Sequence, residues 1–333
     1  MACGGKNDPR TVTASTLTLE ASTYVSHDLH RLERVWPETN CYVDLWIELL
    51  HSRGLDPVAC LAFTVAMGFE GDQWTFFKQP PGDIFALYGI EVQELAIWRL
   101  LDVQLEEQVR RGRVPLVEVD AFYLPDTVGV SYEIEHTKTT VGVQAIDLAE
   151  RSMGYFHSAG YFELSGRDFE ALFPANSAGL APYTEIAKLD HIVRRSRAEL
   201  AAIAREQLRH YLARVPSTNP FVAYRERYIA DVAWLAGEEM PTFYKYAFAT
   251  LRQCGACSEM ASTFLGWLSE ASGEQTSKAA TEFAAIASTS KAMQFKIARM
   301  MATRKPVDVT PLLDEMQSSW DRAIGELVTR YAD

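Results

Sequence analysis

The sequence predicts an α+β protein, in which a domain built on an antiparallel sheet precedes an all-helical C-terminal domain. Three observations carry this. Between Val114 and Leu164 the chain offers short apolar stretches separated by Pro, Asp and Gly turns. From about Pro182 onward almost every segment spaces its apolar residues for a helix. Helices come first, then strands, then helices again, so strands and helices do not alternate as they do in a parallel βαβ sheet.

Residues 1–25 are rich in Thr, Ser, Gly and Ala without an apolar period, and read as a loose arm. Val43 to Leu50 is a dense apolar run following Cys41 and ending at Gly54 and Pro57. It predicts a buried helix of about three turns with Thr39 or Asn40 as N-cap. A second apolar stretch runs from Val58 to Phe69, and Trp74 to Phe77 reads as a short strand before Gln79-Pro80-Pro81-Gly82. Ile90 to Val109 predicts an amphipathic helix. Strands are expected at 114–122, 128–135, 139–146, 153–156 and 160–164, closed by a capped helical turn over Ser165 to Phe173. Helices are expected at 183–214, 220–237, 241–253, 256–272, 275–303 and 309–331, broken at Pro216, Pro220, Pro241, Gly273 and Pro306. The composition shifts near 175–182, which divides the chain into an arm (1–25), a sheet domain (26–178) and a helical domain (179–333).

A chain of 333 residues with 48% hydrophobic and 23% charged residues has material for two globular domains. Lys plus Arg is 32 against 44 for Asp plus Glu, a net charge of −12. That balance argues against nucleic-acid binding and against an anionic membrane surface. No stretch approaches the ~18–20 apolar residues of a membrane span. The start lacks an apolar signal region, and the five cysteines are odd in number and sparse. The expectation is a cytoplasmic protein with free thiols.

Cys41 is the sharpest chemical feature. A thiol in the first turn of a helix gains nucleophilicity from the free N–H groups and the dipole there. A base is then needed, and His136, at the beginning of a predicted strand, is the leading candidate. The base in turn needs an orienting group. Asp147, ending that strand, and His157, delivered by the next one, both qualify.

The order Cys, His, Asp resembles a known solution to acyl transfer. The segments NCYVDLWIELL (Asn40 to Leu50) and HTKTTVGVQAIDLAERSMGYFHSAGYFELSGRDFEALF (His136 to Phe173) resemble the bacterial domain-of-unknown-function family 1839. More distantly, the chain is similar to the N-terminal domain of butirosin-type acyltransferases and to the bacteriocin-processing (C39-like) branch of papain-like cysteine peptidases. VDAFYLP (Val119 to Pro125) and LSGRDF (Leu164 to Phe169) match motifs of those relatives. Three departures stand out. Thr137-Lys138-Thr139 separates His136 from its apolar strand, the orienting Asp of those relatives commonly sits on the following strand, where this chain has His157, and the upstream oxyanion Gln is absent. The N–H of Cys41 and the side chain of Asn40 are then the nearest oxyanion donors. Losing one such donor typically costs about 100- to 1,000-fold in rate.

The resemblance implies a papain-like domain whose Cys41 takes an acyl or aminoacyl group from a carrier-protein or coenzyme thioester and passes it to an amine in specialised-metabolite biosynthesis. Phosphopantetheine enters only as part of such a carrier; no resident cofactor or metal is implied. The alternatives are a thioesterase, amidase or peptidase-like hydrolase, and a non-catalytic scaffold. Asp120 and Tyr123 are candidate substrate contacts. Docking an acidic carrier would use a basic patch, for which Arg110-Arg111-Gly112-Arg113 and Arg194-Arg195-Ser196-Arg197 are the candidates. Glu133 and Glu135 share one face of a predicted strand. Cys254-Gly255-Ala256-Cys257 lacks a second ligand pair for zinc and reads as a helix start. No phosphate loop, dinucleotide fingerprint or serine elbow is present.

Overall fold

The structure is a computed structural model that describes residues 18–174, 181–273 and 276–331. It shows a mixed α/β protein with a six-stranded antiparallel sheet in the N-terminal half and a helical C-terminal region. Two compact units interleave along the chain. The segment ending at Asp28, Cys41–Asp56 and Pro81–Arg195 form the sheet unit. Leu29–Asn40, Pro57–Pro80 and the chain from Ser196 onward form the helical unit.

In the sheet unit, α1 (Cys41–Ser52) is followed by α2 (Pro81–Tyr88), β1 (Glu91–Glu94), α3 (Leu101–Arg110) and β2 (Val114–Asp120). Then come β3 (Lys138–Asp147), β4 (Ser152–His157), β5 (Gly160–Ser165), α4 (Arg167–Leu172) and β6 (Thr184–Lys188). The strand order is β1-β6-β2-β3-β4-β5, with every pair antiparallel. Alternate residues sort to two faces. Val117, Val119, Val141, Val143, Met153, Tyr155 and Leu164 meet Leu105 of α3 and Phe169 of α4 in one core. On the other face α1 packs over the sheet around Gly142, where a side chain would meet only ordinary contacts. A methyl at that position would meet Leu45 of α1, Leu116 and Phe156 at 3.4–3.6 Å. Residues Tyr42 to Leu50 are all buried, as their dense apolar pattern requires. The helix stops at Gly54, in the left-handed region at φ +65, with Leu55 N donating to Leu50 O and Gly54 N to His51 O. That is a Schellman termination, which needs a residue without a Cβ penalty.

The helical unit comprises α5 (Arg197–Leu212), α6 (Pro220–Leu235), α7 (Met240–Ala247), α8 (Gln253–Ser272), α9 (Ser277–Thr303) and α10 (Thr310–Tyr331), with a π turn at Phe248–Arg252. Ser196 and Glu199 form a reciprocal capping box on α5; Asn219 caps α6 ahead of Pro220; Gly273 closes α8 in the left-handed region. Of α8, Cys254, Ala256, Cys257, Met260, Ala261, Phe264, Leu265 and Leu268 are wholly buried, so it is the core helix of this unit. The Leu29–Asn40 segment is tied to it. Val35 N and Trp36 N donate to the Glu259 carboxylate at 3.1 and 2.8 Å, and Trp36 Nε1 donates to Ala287 O. Trp36 also explains Gly255: a Cβ there would stand 2.5 Å from the indole.

The expected α+β order holds, and β2 to β5, α4 and the C-terminal helices lie close to their predicted spans. Four expectations fail. The span 90–109 is not one helix, but strand β1, a connector and the shorter α3. Residues 128–135 alternate in polarity yet form turns, with Val128, Val130 and Ile134 exposed. The predicted helix from 183 begins only at Arg197, because Thr184–Lys188 is β6, hydrogen-bonded between β1 and β2. The Trp74 to Phe77 strand reduces to a single bridge between Phe69 and Trp74. The unit boundary therefore falls at Arg195/Ser196 rather than near 178, and two N-terminal segments belong to the helical unit. Most of the predicted arm, residues 1–17, lies outside the described residues; Ala21–Thr23 is a 3-10 turn whose Ala21 N donates to Glu163.

Candidate functional site

The VDAFYLP segment at the end of β2 organises the site. Val119 and Ala121 are core residues, and between them Asp120 turns the other way. Its Oδ1 accepts from Phe122 N at 3.0 Å, capping the 3-10 turn Ala121–Tyr123. Its Oδ2 lies 2.6 Å from Nδ1 of His136. The pairing of Asp120 with Lys138 across the β2–β3 ladder brings this about, helped by Ala121 N donating to Thr137 O at 2.8 Å. Phe122 stacks on the imidazole with centroids 4.3 Å apart and planes at 11°, and Tyr123 meets it edge-on at 6.1 Å. With Nδ1–H donated to a carboxylate, the ring is held in the tautomer that leaves the Nε2 lone pair free, and Nε2 has no protein partner among the described residues. The His136 side chain is 65% exposed and that of Asp120 34%.

The pair faces a cavity of about 900 Å³. His136, Asp120, Tyr123, Lys138, Trp98 and Phe173 are among its lining. Lys138 Nζ donates to Glu118 Oε1 at 2.8 Å on the same wall. The lining thus combines polar and charged side chains with aromatic and aliphatic ones, the composition of a small-molecule site.

The candidate triad is only partly brought together. Cys41 is the first residue of α1, as expected, and the residue is partly exposed. Leu45 packs over Gly142, and Arg53, just past the helix, reaches Gln144, so α1 runs along β3 with Cys41 toward the end where His136 lies. The thiol does not line the cavity, and among the described residues it makes no hydrogen bond, to His136 or to any other group. Asp147 is not the orienting group. It ends β3, about 30 Å from the strand's start at roughly 3.3 Å per residue. Its Oδ1 accepts from Ala149 N and Glu150 N at 2.9 Å, the work of a turn former. His157 is not the third member either. It is buried, with Nδ1 at 2.5 Å from Asp126 Oδ2 and Nε2 at 2.8 Å from Thr139 Oγ1, so both ring nitrogens are engaged. Asn40 is not an oxyanion donor: it is 2% exposed and its amide nitrogen donates to Phe77 O at 3.0 Å and to Gln253 Oε1 at 3.5 Å. The carboxylate that meets the His136 ring is that of Asp120, which the sequence suggested only as a substrate contact.

Residues 25–189 match the DUF1839 N-terminal domain, and residues 197–329 match the DUF1839 C-terminal domain. The chain belongs to the DUF1839 family. No curated protein matches it. The DUF1839 N-terminal domain carries β1 to β6, the cavity, His136 and His157, and the step between the two matched regions coincides with the Arg195/Ser196 division.

Most of the remaining candidates of this DUF1839 chain are tied into local structure. Arg110 and Arg111 pair with Glu107 at 2.9 and 2.7 Å. Arg194 donates to the Arg53 and Gly54 carbonyls, Arg195 to Leu87 O, and Arg197 pairs with Glu270. Among the described residues, every arginine of the two runs except Arg113 is held by a carboxylate or a backbone carbonyl within hydrogen-bond distance. Cys254 and Cys257 lie wholly buried in α8, and burial pushes both thiols well above their usual range. Glu133, in a turn rather than a strand, pairs with Arg167. Among the described residues no helix is long and apolar enough to cross a membrane, and no His, Cys, Asp and Glu cluster is arranged to hold a metal.

Proposed function

We propose that this protein is an acyl-transferring enzyme in which His136, oriented by Asp120, is the general base and Cys41 the nucleophile. The observation that carries the reading is the 2.6 Å Asp120–His136 pair, which presents an unengaged Nε2 to a cavity large enough for a small substrate. A papain-like description of the domain fits a helix that opens with Cys41 and packs on an antiparallel sheet whose β3 follows His136.

In the first half-reaction Cys41 Sγ bonds to the thioester carbonyl carbon while its proton passes to Nε2 of His136. The donor's C–S bond then breaks and the leaving thiolate recovers that proton. In the second, an amine attacks the acyl-enzyme, His136 takes the proton released on C–N bond formation, and Cys41 departs as the thiol. Asp120 stabilises the imidazolium formed twice per cycle. Thioester exchange between thiols is nearly isoenergetic, which suits a Cys nucleophile. Contacts between nucleophile and base are commonly loose before substrate binds and tighten in the complex. The acyl donor is a carrier-protein or coenzyme thioester, the acceptor a small amine, and the apolar residues of the lining, such as Trp98 and Phe173, would hold the acyl chain.

The test uses a soluble acyl thioester and mass spectrometry. An acyl adduct on Cys41 that disappears in Cys41→Ala and forms far more slowly in His136→Gln supports the proposal. One result favours a second reading, a hydrolase in which His136 activates water directly: Cys41→Ala turns over undiminished while His136→Gln does not. That reading draws on the absence of a thiol–imidazole hydrogen bond.

A further inference from the structure

The sheet unit holds a second cavity, of about 250 Å³, that shares no residue with the first. It lies beside the far half of β3, at Gln144 to Ile146, below the C-terminal end of α1. Arg53 enters from just past α1, Arg113 from the residue before β2, and Tyr161 from β5. Among the described residues no carboxylate lines it.

The cations here are poorly compensated. Arg53 Nη2 donates to the neutral Gln144 Oε1, its Nε is buried without a hydrogen-bond partner, and the guanidinium forms no ion pair among the described residues. Arg113 Nη1 donates to another neutral group, Gln108 Oε1, at 3.0 Å. Its Nε is likewise buried without a hydrogen-bond partner, and Asp190 Oδ2 stands off at 4.0 Å. The Tyr161 hydroxyl makes no hydrogen bond among the described residues. Burial pulls the Arg53 guanidinium down to about 10 and pushes the Tyr161 phenol up to about 12. A half-buried guanidinium with only amide partners is unfavourable unless something neutralises it.

We propose that this cavity binds a phosphate-type oxyanion, either free phosphate or the phosphoryl group of a small molecule. Two guanidiniums match a dianion in charge, and their planar N–H edges suit paired hydrogen bonds to its oxygens. The Tyr161 phenol, also in the lining, adds a third donor, and a phosphate offers more acceptor oxygens to such a set than a carboxylate does. The volume falls below the ~300–1,000 Å³ typical of drug-sized ligands, so the occupant is phosphate or a short phosphomonoester.

Calorimetric titration of the full chain with inorganic phosphate, in a phosphate-free buffer of low ionic strength, tests this. The expected result is saturable one-to-one binding, weakened at least tenfold by Arg53→Gln and by Arg113→Gln, and unchanged by Arg111→Gln, whose arginine pairs with surface Glu107. Phosphate should also raise the melting temperature of the wild type and not of the two variants, a readout that survives if one variant is poorly stable. Titration with glycerol phosphate separates the two sources: tighter binding than inorganic phosphate assigns the site to a phosphomonoester, and weaker binding to the free ion. Absence of saturable binding, wild-type affinity in both variants, or a preference for acetate or citrate would overturn the proposal.

Discussion

The sheet unit contains two histidine–aspartate pairs that differ in nearly everything but their chemistry. His136–Asp120 stands at the wall of a cavity, with side chains 65% and 34% exposed. His157–Asp126 is sealed in, at 5% and 2%. In the first, one ring nitrogen is held and the other is open. In the second, Asp126 accepts from Tyr155 Oη at 2.5 Å as well as binding the ring, and Thr139 occupies the remaining nitrogen. The Tyr155 phenol is pushed far up by burial first and by Asp126 second, so it stays a donor. A buried network whose members are all satisfied fixes packing, whereas an exposed pair with a vacant position is equipped for proton transfer. Residue type alone does not separate these roles; the surroundings do.

Mutation of each pair should therefore give opposite phenotypes. His136→Gln should lower the rate of acyl-adduct formation by about 100- to 10,000-fold, with stability unchanged within about 0.5 kcal/mol, as read by stopped-time mass spectrometry and denaturant melts. Asp126→Ala should do the reverse. Stripping a buried charged partner from His157 and Tyr155 should cost about 3–5 kcal/mol of stability, while the folded fraction keeps its turnover. Asp120→Asn should slow the reaction roughly tenfold or more without unfolding the protein, since the ring loses its orienting charge in a partly solvated place. The smallest effect should come from Asp147→Ala, at about 0.5–2 kcal/mol of stability from a lost turn cap and none on the rate. Were Asp147→Ala to impair turnover as Asp120→Asn does, the assignment of Asp120 as orienting group would fail.

Legibility of this molecule in its sequence followed burial. The α1 segment, β3 to β5 and the C-terminal helices carry apolar residues that the structure buries, so period and element agree. Residues 128–135 show how the rule breaks: Val128, Val130 and Ile134 alternate convincingly but face solvent, and alternation without a covering layer makes no strand. The 90–109 span mimics one helix because Leu95, Ala96 and Trp98 of the connector carry the apolar spacing from Val92 of the strand to Leu101 and Leu105 of the helix. At the site, Cys41 at a helix start and His136 beside a strand were readable, since both follow from local pattern. The role of Asp120 was not, because it depends on the β2–β3 register that sets Asp120 opposite Lys138, and register is a tertiary property. Its local signal, an Asp closing an apolar strand, is equally that of Asp147.

The interleaving of the two units has a consequence for synthesis. A ribosome that has released the first 195 residues has delivered every strand of the sheet unit. It has also delivered Trp36 and Trp74, whose packing partners Gly255, Phe221 and Tyr224 do not yet exist. Those indoles must wait, exposed, until the later helices emerge, which makes the half-made chain a client for holding chaperones and a poor candidate for expression as a separate N-terminal half.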